Sequence, residues 1–101
     1  MKVNVYETII YEVPANLKRS AEYVGGKLII TNERICFEPH SFNIQRKAIE
    51  IHFAEIKSLR EAKVLWIIPN GLEIHLYKGE VYKFIMSKRI QIKKEIQAKI
   101  G

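Results

Sequence analysis

Two Glu-x-His pairs are the residues whose types and spacing come closest to a metal or acid–base site. Glu50 and His52 form one pair, and Glu73 and His75 form the other. Imidazole and carboxylate groups are ordinary metal ligands, so such a site would need the two pairs to meet. Each pair lies in a predicted strand, and we expect these strands to belong to different sheets. We therefore predict that the pairs bind no metal ion.

The composition restricts other kinds of chemistry. All eleven acidic residues are Glu, and the lack of Asp excludes Ser-His-Asp triads, Asp dyads and EF-hand loops. Cys36 is the only cysteine and lies between Ile35 and Phe37, so we expect a buried, inert thiol and a reducing compartment. The sequence contains no phosphate-binding loop and no metal motif. We predict that the protein is not an enzyme and has no cofactor.

The chain is basic, with 17 Lys and Arg residues, 11 Glu residues and a formal net charge of +6. This balance favours an anionic partner, such as a membrane surface or a nucleic acid. A sequence pI of about 9.5 and five tyrosines make a small nucleic-acid-binding β-barrel the alternative hypothesis. The acidic residues are spread through the chain, however, and the basic residues do not cluster around aromatic ones. Both features argue against nucleic acid.

Short strands are the elements that must position any site. A chain of 101 residues fits one domain, which we place at residues 1–101. Gly25-Gly26 predicts a two-residue hairpin turn, and Pro69-Asn70-Gly71 and Lys78-Gly79 predict further turns. The segments between the turns predict about seven antiparallel strands, with a further extended segment at 3–13. The predicted strands are 17–24, 27–31, 34–38, 49–59 with a bend near Ala54, 64–68, 72–77 and 82–86.

The hydrophobic period changes at Ser87, which is a predicted helix N-cap. Ile92, Ile96 and Ile100 then share one helical face with Arg89, which predicts an amphipathic helix at about 88–100. We expect the Arg89 stem to pack on the sheet while its head meets a Glu or strand carbonyls. Ile90 falls outside the apolar stripe. The predicted fold is mostly β, with one C-terminal helix across an open end of the sheet.

Residues 25–39, GGKLIITNERICFEP, resemble the core signature of GRAM domains. The similarity continues through a Pro-Asn-Gly-Leu segment and the last strand and helix, so it covers about residues 15–100. It is strongest to the small stand-alone bacterial members. The chain differs in having His52 where the family often has Pro, and Ile92 where it often has Trp. The matching residues of the signature are Gly26, Leu28, Ile30, Thr31, Arg34, Ile35 and Phe37.

The resemblance implies a pleckstrin-homology-like (PH-like) barrel and a non-catalytic module that binds membrane lipid or a protein. PH domains hold inositol phosphates with a long basic loop between their first two strands, and the predicted Gly25-Gly26 loop is too short for that. The remaining basic candidates at the open end of the barrel could attract an anionic surface. These candidate ligand-binding residues are Lys27, His40, Arg46, Lys47 and Lys78. We interpret Lys18, Arg19 and the helix lysines as solvated surface.

The segment 64–68 is apolar throughout, so at least one of its side chains should face outward if one face of the sheet is wet. Leu65, Trp66 and Ile67 are therefore a candidate surface for a protein partner or for self-association. No apolar run approaches the roughly 20 residues of a membrane-spanning helix, and no signal peptide is evident. We expect a cytoplasmic protein that lies at the membrane periphery when it binds lipid.

Overall fold

A computed structural model of the chain describes residues 1–40, 47–64 and 68–101. Within these residues it contains seven strands, one 3-10 turn and one α-helix. The strands are β1 (Ile9–Arg19), β2 (Glu22–Thr31), β3 (Arg34–Pro39), β4 (Ile49–His52), β5 (Ile56–Val64), β6 (Ile68–Leu76) and β7 (Val81–Met86). The 3-10 turn is Phe53–Glu55, and the helix α1 is Arg89–Ile100. The predicted fold class, seven antiparallel strands with one C-terminal helix, is confirmed.

The seven strands form one curled antiparallel sheet in the order β4-β3-β2-β1-β7-β6-β5. Alternation along β1 shows which face of the sheet meets the core: Val13, Ala15 and Leu17 are buried, while the residues between them are exposed. Phe37 and Phe84 meet inside it with ring centroids 5.5 Å apart. The curled sheet leaves β4 and β5 at its two edges, and α1 packs against β5 and β6.

The predicted hairpin turn at Gly25-Gly26 is wrong. Both glycines lie inside β2, and the turn between β1 and β2 is at Ser20-Ala21, where Ser20 has a φ of 54°. Gly26 is required by close packing rather than by a turn. A Cβ atom at Gly26 would lie 2.3 Å from the Glu38 carbonyl oxygen and 2.8 Å from the Phe37 ring.

We expect Gly26→Ala to lower the free energy of unfolding by about 1–3 kcal/mol, because β3 would have to move away from β2. Gly25→Ala is the matched control in the same strand, since its Cβ would meet its nearest neighbours at an ordinary 3.4 Å. Urea unfolding of both variants measures the difference. Equal losses of stability would show that the close approach at Gly26 does not matter.

Two other predicted segments need correction. Pro69, Asn70 and Gly71 belong to β6 rather than to a turn, and Gly71 pairs with Ala62 and Ile85. The predicted strand at 64–68 is also wrong as one strand, because Val64 ends β5 and pairs with Ile68 at the start of β6. The predicted bend near Ala54 is the 3-10 turn, but the chain after it crosses to the other edge of the sheet.

The helix α1 covers the end of the core close to its predicted bounds. Ile92 and Ile96 are fully buried, and Ile100 is partly buried against the same cluster. Ser87 is not the N-cap: the cap is Lys88, which has a left-handed φ of 59°. Ile90 lies on a different face and is 50% exposed. The buried stripe holds the helix to the sheet and leaves the Ile90 face open.

Candidate functional site

Three turns lie at one end of the curled sheet, which we call the loop end. They are the Ser20-Ala21 turn, the segment that connects β3 to β4, and the turn at 77–80. The strand register brings them together. Lys18 near the end of β1 pairs with Lys83 near the start of β7, and Gly26 in β2 pairs with Pro39 at the end of β3. Residues far apart in sequence therefore share one surface.

The structure brings three of the predicted ligand-binding residues to the loop end and separates one from it. His40 and Lys47 flank the β3–β4 connection, and Lys78 lies in the β6–β7 turn. Lys27 points outward from the middle of β2, where its amine lies 3.0 Å from a Glu12 carboxylate oxygen. That ion pair raises the pKa of Lys27. Arg46 lies outside the described residues.

Backbone contacts fix both ends of the β3–β4 connection against β1 and β2. The His40 N–H donates to the Gly25 carbonyl at 3.0 Å, and the Arg19 guanidinium donates to the Lys47 carbonyl at 3.5 Å. The second contact uses the peptide oxygen of Lys47, an exposed residue, and does not involve its ammonium group. The loop end thus holds Arg19 and Lys47 side by side.

The β6–β7 turn presents a cation next to an exposed aromatic ring. Gly79 has a φ of +104°, which only glycine adopts readily, and it closes the turn around Lys78. The Lys78 amine lies 3.0 Å from Glu80, which raises the pKa of Lys78. Tyr77 is 71% exposed, and its N–H donates to the Glu55 carbonyl at 3.0 Å. The turn therefore displays an amphipathic ring at a fixed position.

Sequence reasoning missed the exposed apolar groups of the loop end. Tyr23, Tyr77 and Val81 are each at least 44% exposed there. It also treated Lys18 and Arg19 as general surface, although they directly precede the β1–β2 turn. Correct placement of that turn at Ser20-Ala21 would have found them, since both residues then flank a loop.

The signature residues Thr31 and Arg34 both bind the buried carboxylate of Glu7, at the opposite end of β2 and β3. The Arg34 guanidinium donates to both oxygens of Glu7 at 2.8 Å, and the Thr31 hydroxyl donates to the same carboxylate at 2.7 Å. The Glu7 side chain is fully buried. Hydrogen bonds from Arg34, and then from Thr31 and the Asn4 N–H, lower the pKa of Glu7 to about 2 although burial opposes them. This network fastens residues 1–8 to the sheet.

His52 and His75 contact residues close to them in sequence, and Cys36 lies in the core. His75 and His52 each contact the Glu two residues before them, at 2.9 and 2.7 Å. The expectation that their strands belong to different sheets is wrong, because β4 and β6 are part of one sheet, but the two strands are not neighbours in it. No group of three or more His, Cys or Glu residues suited to a metal ion occurs among residues 1–40, 47–64 and 68–101. Cys36 is buried as predicted, and burial raises the pKa of its thiol.

Arg89 makes the contacts that we predicted from its position on the helix. Its Nη2 lies 2.8 Å from Glu61, and its Nη1 donates to the Ala62 carbonyl at 3.1 Å. These contacts tie the first turn of α1 to β5. Leu65, Trp66 and Ile67, the candidate partner surface, lie outside the described residues.

Comparison with known families agrees with the fold. The sequence profile of the GRAM domain family matches residues 1–98. The chain belongs to the GRAM domain family. The search of curated proteins found no significant match. Domains of this family and of the related PH-like fold are binding modules for lipids or proteins.

Solved structures similar to this GRAM domain share its fold at low identity. A C-terminal domain of an unknown protein from Leishmania infantum is 18% identical, with a TM-score of 0.79 over 93% of this chain and 84% of that one. The Vps36 N-terminal PH domain is 10% identical, with a TM-score of 0.75 over 98% of this chain and 83% of that one. The DH/PH domains of p115-RhoGEF are 8% identical, with a TM-score of 0.73 over 94% of this chain and 31% of that one.

The described part of the chain has no helix that is both long and apolar enough to cross a membrane.

Proposed function

We propose that this GRAM domain binds the anionic surface of a membrane through its loop end. The observation that supports this is the meeting of exposed basic and aromatic side chains on turns that are distant in sequence. Lys47 and Lys78 are both exposed there, and Tyr77 extends beside Lys78. Each basic residue near an anionic leaflet contributes roughly 1 kcal/mol, and tyrosine rings favour the interface between headgroups and acyl chains.

The shape of the loop end favours a surface over a single phosphorylated headgroup. The β1–β2 connection is a two-residue turn, so it lacks the length to enclose a phosphate group. The cleft beside Tyr77 and Lys78 holds only about 140 Å³ and is lined in part by the acidic residue Glu55. A shallow, basic end contacts many headgroups weakly rather than one tightly. The family and fold favour a lipid or protein ligand over the nucleic-acid alternative.

The test is co-sedimentation of the purified chain with vesicles of phosphatidylcholine alone and of phosphatidylcholine mixed with phosphatidylserine. We expect binding to the mixed vesicles at low salt, and we expect it to fall steeply as salt shortens the screening length from about 10 Å at 0.1 M to about 3 Å at 1 M. The double variant Lys47→Glu with Lys78→Glu changes the charge of the loop end by four units. It should weaken binding on the order of a hundredfold at low salt.

The matched control is Lys63→Glu with Lys88→Glu, which makes the same change of charge away from the loop end. Lys63 lies near the end of β5, whose first residue pairs with Leu76 beside the β6–β7 turn, and Lys88 precedes α1, beyond the opposite end of β7. This variant should keep most of the binding. Wild-type protein that ignores the mixed vesicles at low salt would contradict the proposal, and so would equal losses in the two double variants.

A further inference from the structure

The edge of the sheet at β5 and the helix beside it form a second surface that the membrane proposal does not use. β5 is nine residues long and, within the part of the chain described, it pairs only with β6. An edge strand carries backbone groups that can bind another extended chain. A groove of about 280 Å³ lies between this strand and α1.

The helix presents a second row of side chains to this groove. Ile90, Lys93, Lys94 and Gln97 line it at helical positions i, i+3, i+4 and i+7, and Glu61 of β5 completes the lining. This row is separate from the buried stripe of Ile92 and Ile96. Half of the Ile90 side chain remains exposed although it faces a concave surface. It can therefore bury an apolar group of a ligand.

The positive charge of the groove favours a negatively charged ligand. The Glu61 carboxylate is bound at 2.8 Å by both Arg89 and Lys93, so two cations already neutralise its one negative charge. Lys94 is exposed and adds a third positive charge beside them. The exposed residues Lys57, Arg60 and Lys63 give the strand itself a positive edge. Two copies of this edge would repel each other, which argues against pairing between two copies of the chain.

We propose that the β5–α1 groove binds an extended, acidic peptide segment of a partner protein, which adds to the sheet as a strand beside β5. Main-chain hydrogen bonds to β5 would supply affinity, and alternate side chains would supply specificity. An apolar side chain of the peptide would lie on Ile90, and a neighbouring carboxylate would pair with Lys94. Because the groove is formed by β5 and α1, this site can be occupied while the loop end contacts a membrane.

The probe is a mixture of nine-residue peptides with Glu at every second position and Val, Ile, Leu or Thr at the others. Two matched mixtures carry Lys in place of Glu, or N-methyl groups that remove backbone donors. Amide chemical shifts of the isotope-labelled chain report the binding. We expect the Glu mixture to shift amides of Ile56–Val64 and of the first half of α1 at peptide concentrations on the order of 1 mM, and the other mixtures to leave them unchanged.

Two charge reversals on the helix give the matched pair. Lys94→Glu changes the groove, and Lys99→Glu makes the same change in the last turn of the helix, outside the groove lining. Lys94→Glu should weaken binding of the Glu mixture about tenfold and Lys99→Glu less than about twofold. The proposal is overturned if the Glu mixture leaves β5 unshifted, if the N-methylated mixture acts equally, or if the two reversals weaken binding equally. If the Glu mixture leaves β5 unshifted, the lysines of β5 serve only to protect the edge strand from aggregation.

Discussion

Replacing Arg34 by Met should lower the free energy of unfolding by about 3–5 kcal/mol, because it leaves the buried Glu7 carboxylate without its cation. The guanidinium reaches both oxygens of that carboxylate at 2.8 Å, and it also donates to the Lys2 carbonyl at 2.7 Å. The Glu7 side chain has no exposed surface, so water cannot replace the lost partner without local opening. Urea unfolding, followed by circular dichroism, measures the loss.

A double variant separates the cost of an unpaired charge from the cost of lost packing. Glu7→Leu combined with Arg34→Met replaces both partners by apolar groups of similar size, which is often close to neutral. We expect the double variant to regain most of the stability that Arg34→Met loses. A single variant as stable as wild type would show that the ion pair is not what fastens the N-terminal segment, and a double variant as unstable as the single one would assign the loss to packing.

Ile96→Ala should lower the free energy of unfolding by about 2–5 kcal/mol, because it removes a fully buried side chain and leaves a cavity between the helix and the sheet. Ile90→Ala is the matched control on the same helix. Half of the Ile90 side chain is exposed, so its truncation should change stability by no more than about 0.5 kcal/mol. An Ile96→Ala midpoint in urea that barely moves would show that α1 is not docked on the core.

The contacts of Thr31, Arg34 and Gly26 show what the residues of the family signature do in this fold. Thr31 and Arg34 are conspicuous polar residues, and in this fold both side chains bind Glu7 rather than a group at the loop end. The Thr31 hydroxyl also accepts a hydrogen bond from the Arg34 N–H. Gly26 serves the close approach of β3. The signature therefore describes how the β2–β3 hairpin and the N-terminal segment are held together. The surfaces that we assign to ligands are made by other residues.

The exposed and buried residues also explain which sequence predictions succeeded. Alternation of apolar and polar residues indicated strands such as 49–53 and 72–77, and the spacing of Ile92 and Ile96 indicated the helix. These patterns succeed because one buried face imposes a period of two on a strand and of 3.6 on a helix. The buried Cys36 and the anchoring contacts of Arg89 were predicted on the same grounds and are confirmed.

The failures came from residues with more than one physical use. Glycine pairs are common in tight turns, but Gly25 and Gly26 lie within a strand, where Gly26 makes room for the backbone of β3. Pro69-Asn70-Gly71 has the composition of a turn and nevertheless belongs to β6. Serine is a frequent N-cap, but the helix begins one residue later, after Lys88. Local composition cannot distinguish these uses, because close packing and capping depend on neighbours from other strands.

The sequence by itself determined the types of element, the fold class and the family of this protein, although not the position of every turn, because hydrophobic period and local signature residues act over short distances along the chain. Only the tertiary structure decided which charges share a surface. A hydrogen bond joins the Arg19 guanidinium to the Lys47 carbonyl at the loop end, whereas the Lys27 amine is paired with Glu12 in the middle of β2. The order of the strands left β5 at an edge beside the Ile90 face of α1. Such contacts join residues that are distant in sequence, so they follow from the register and curl of the whole sheet rather than from any local pattern.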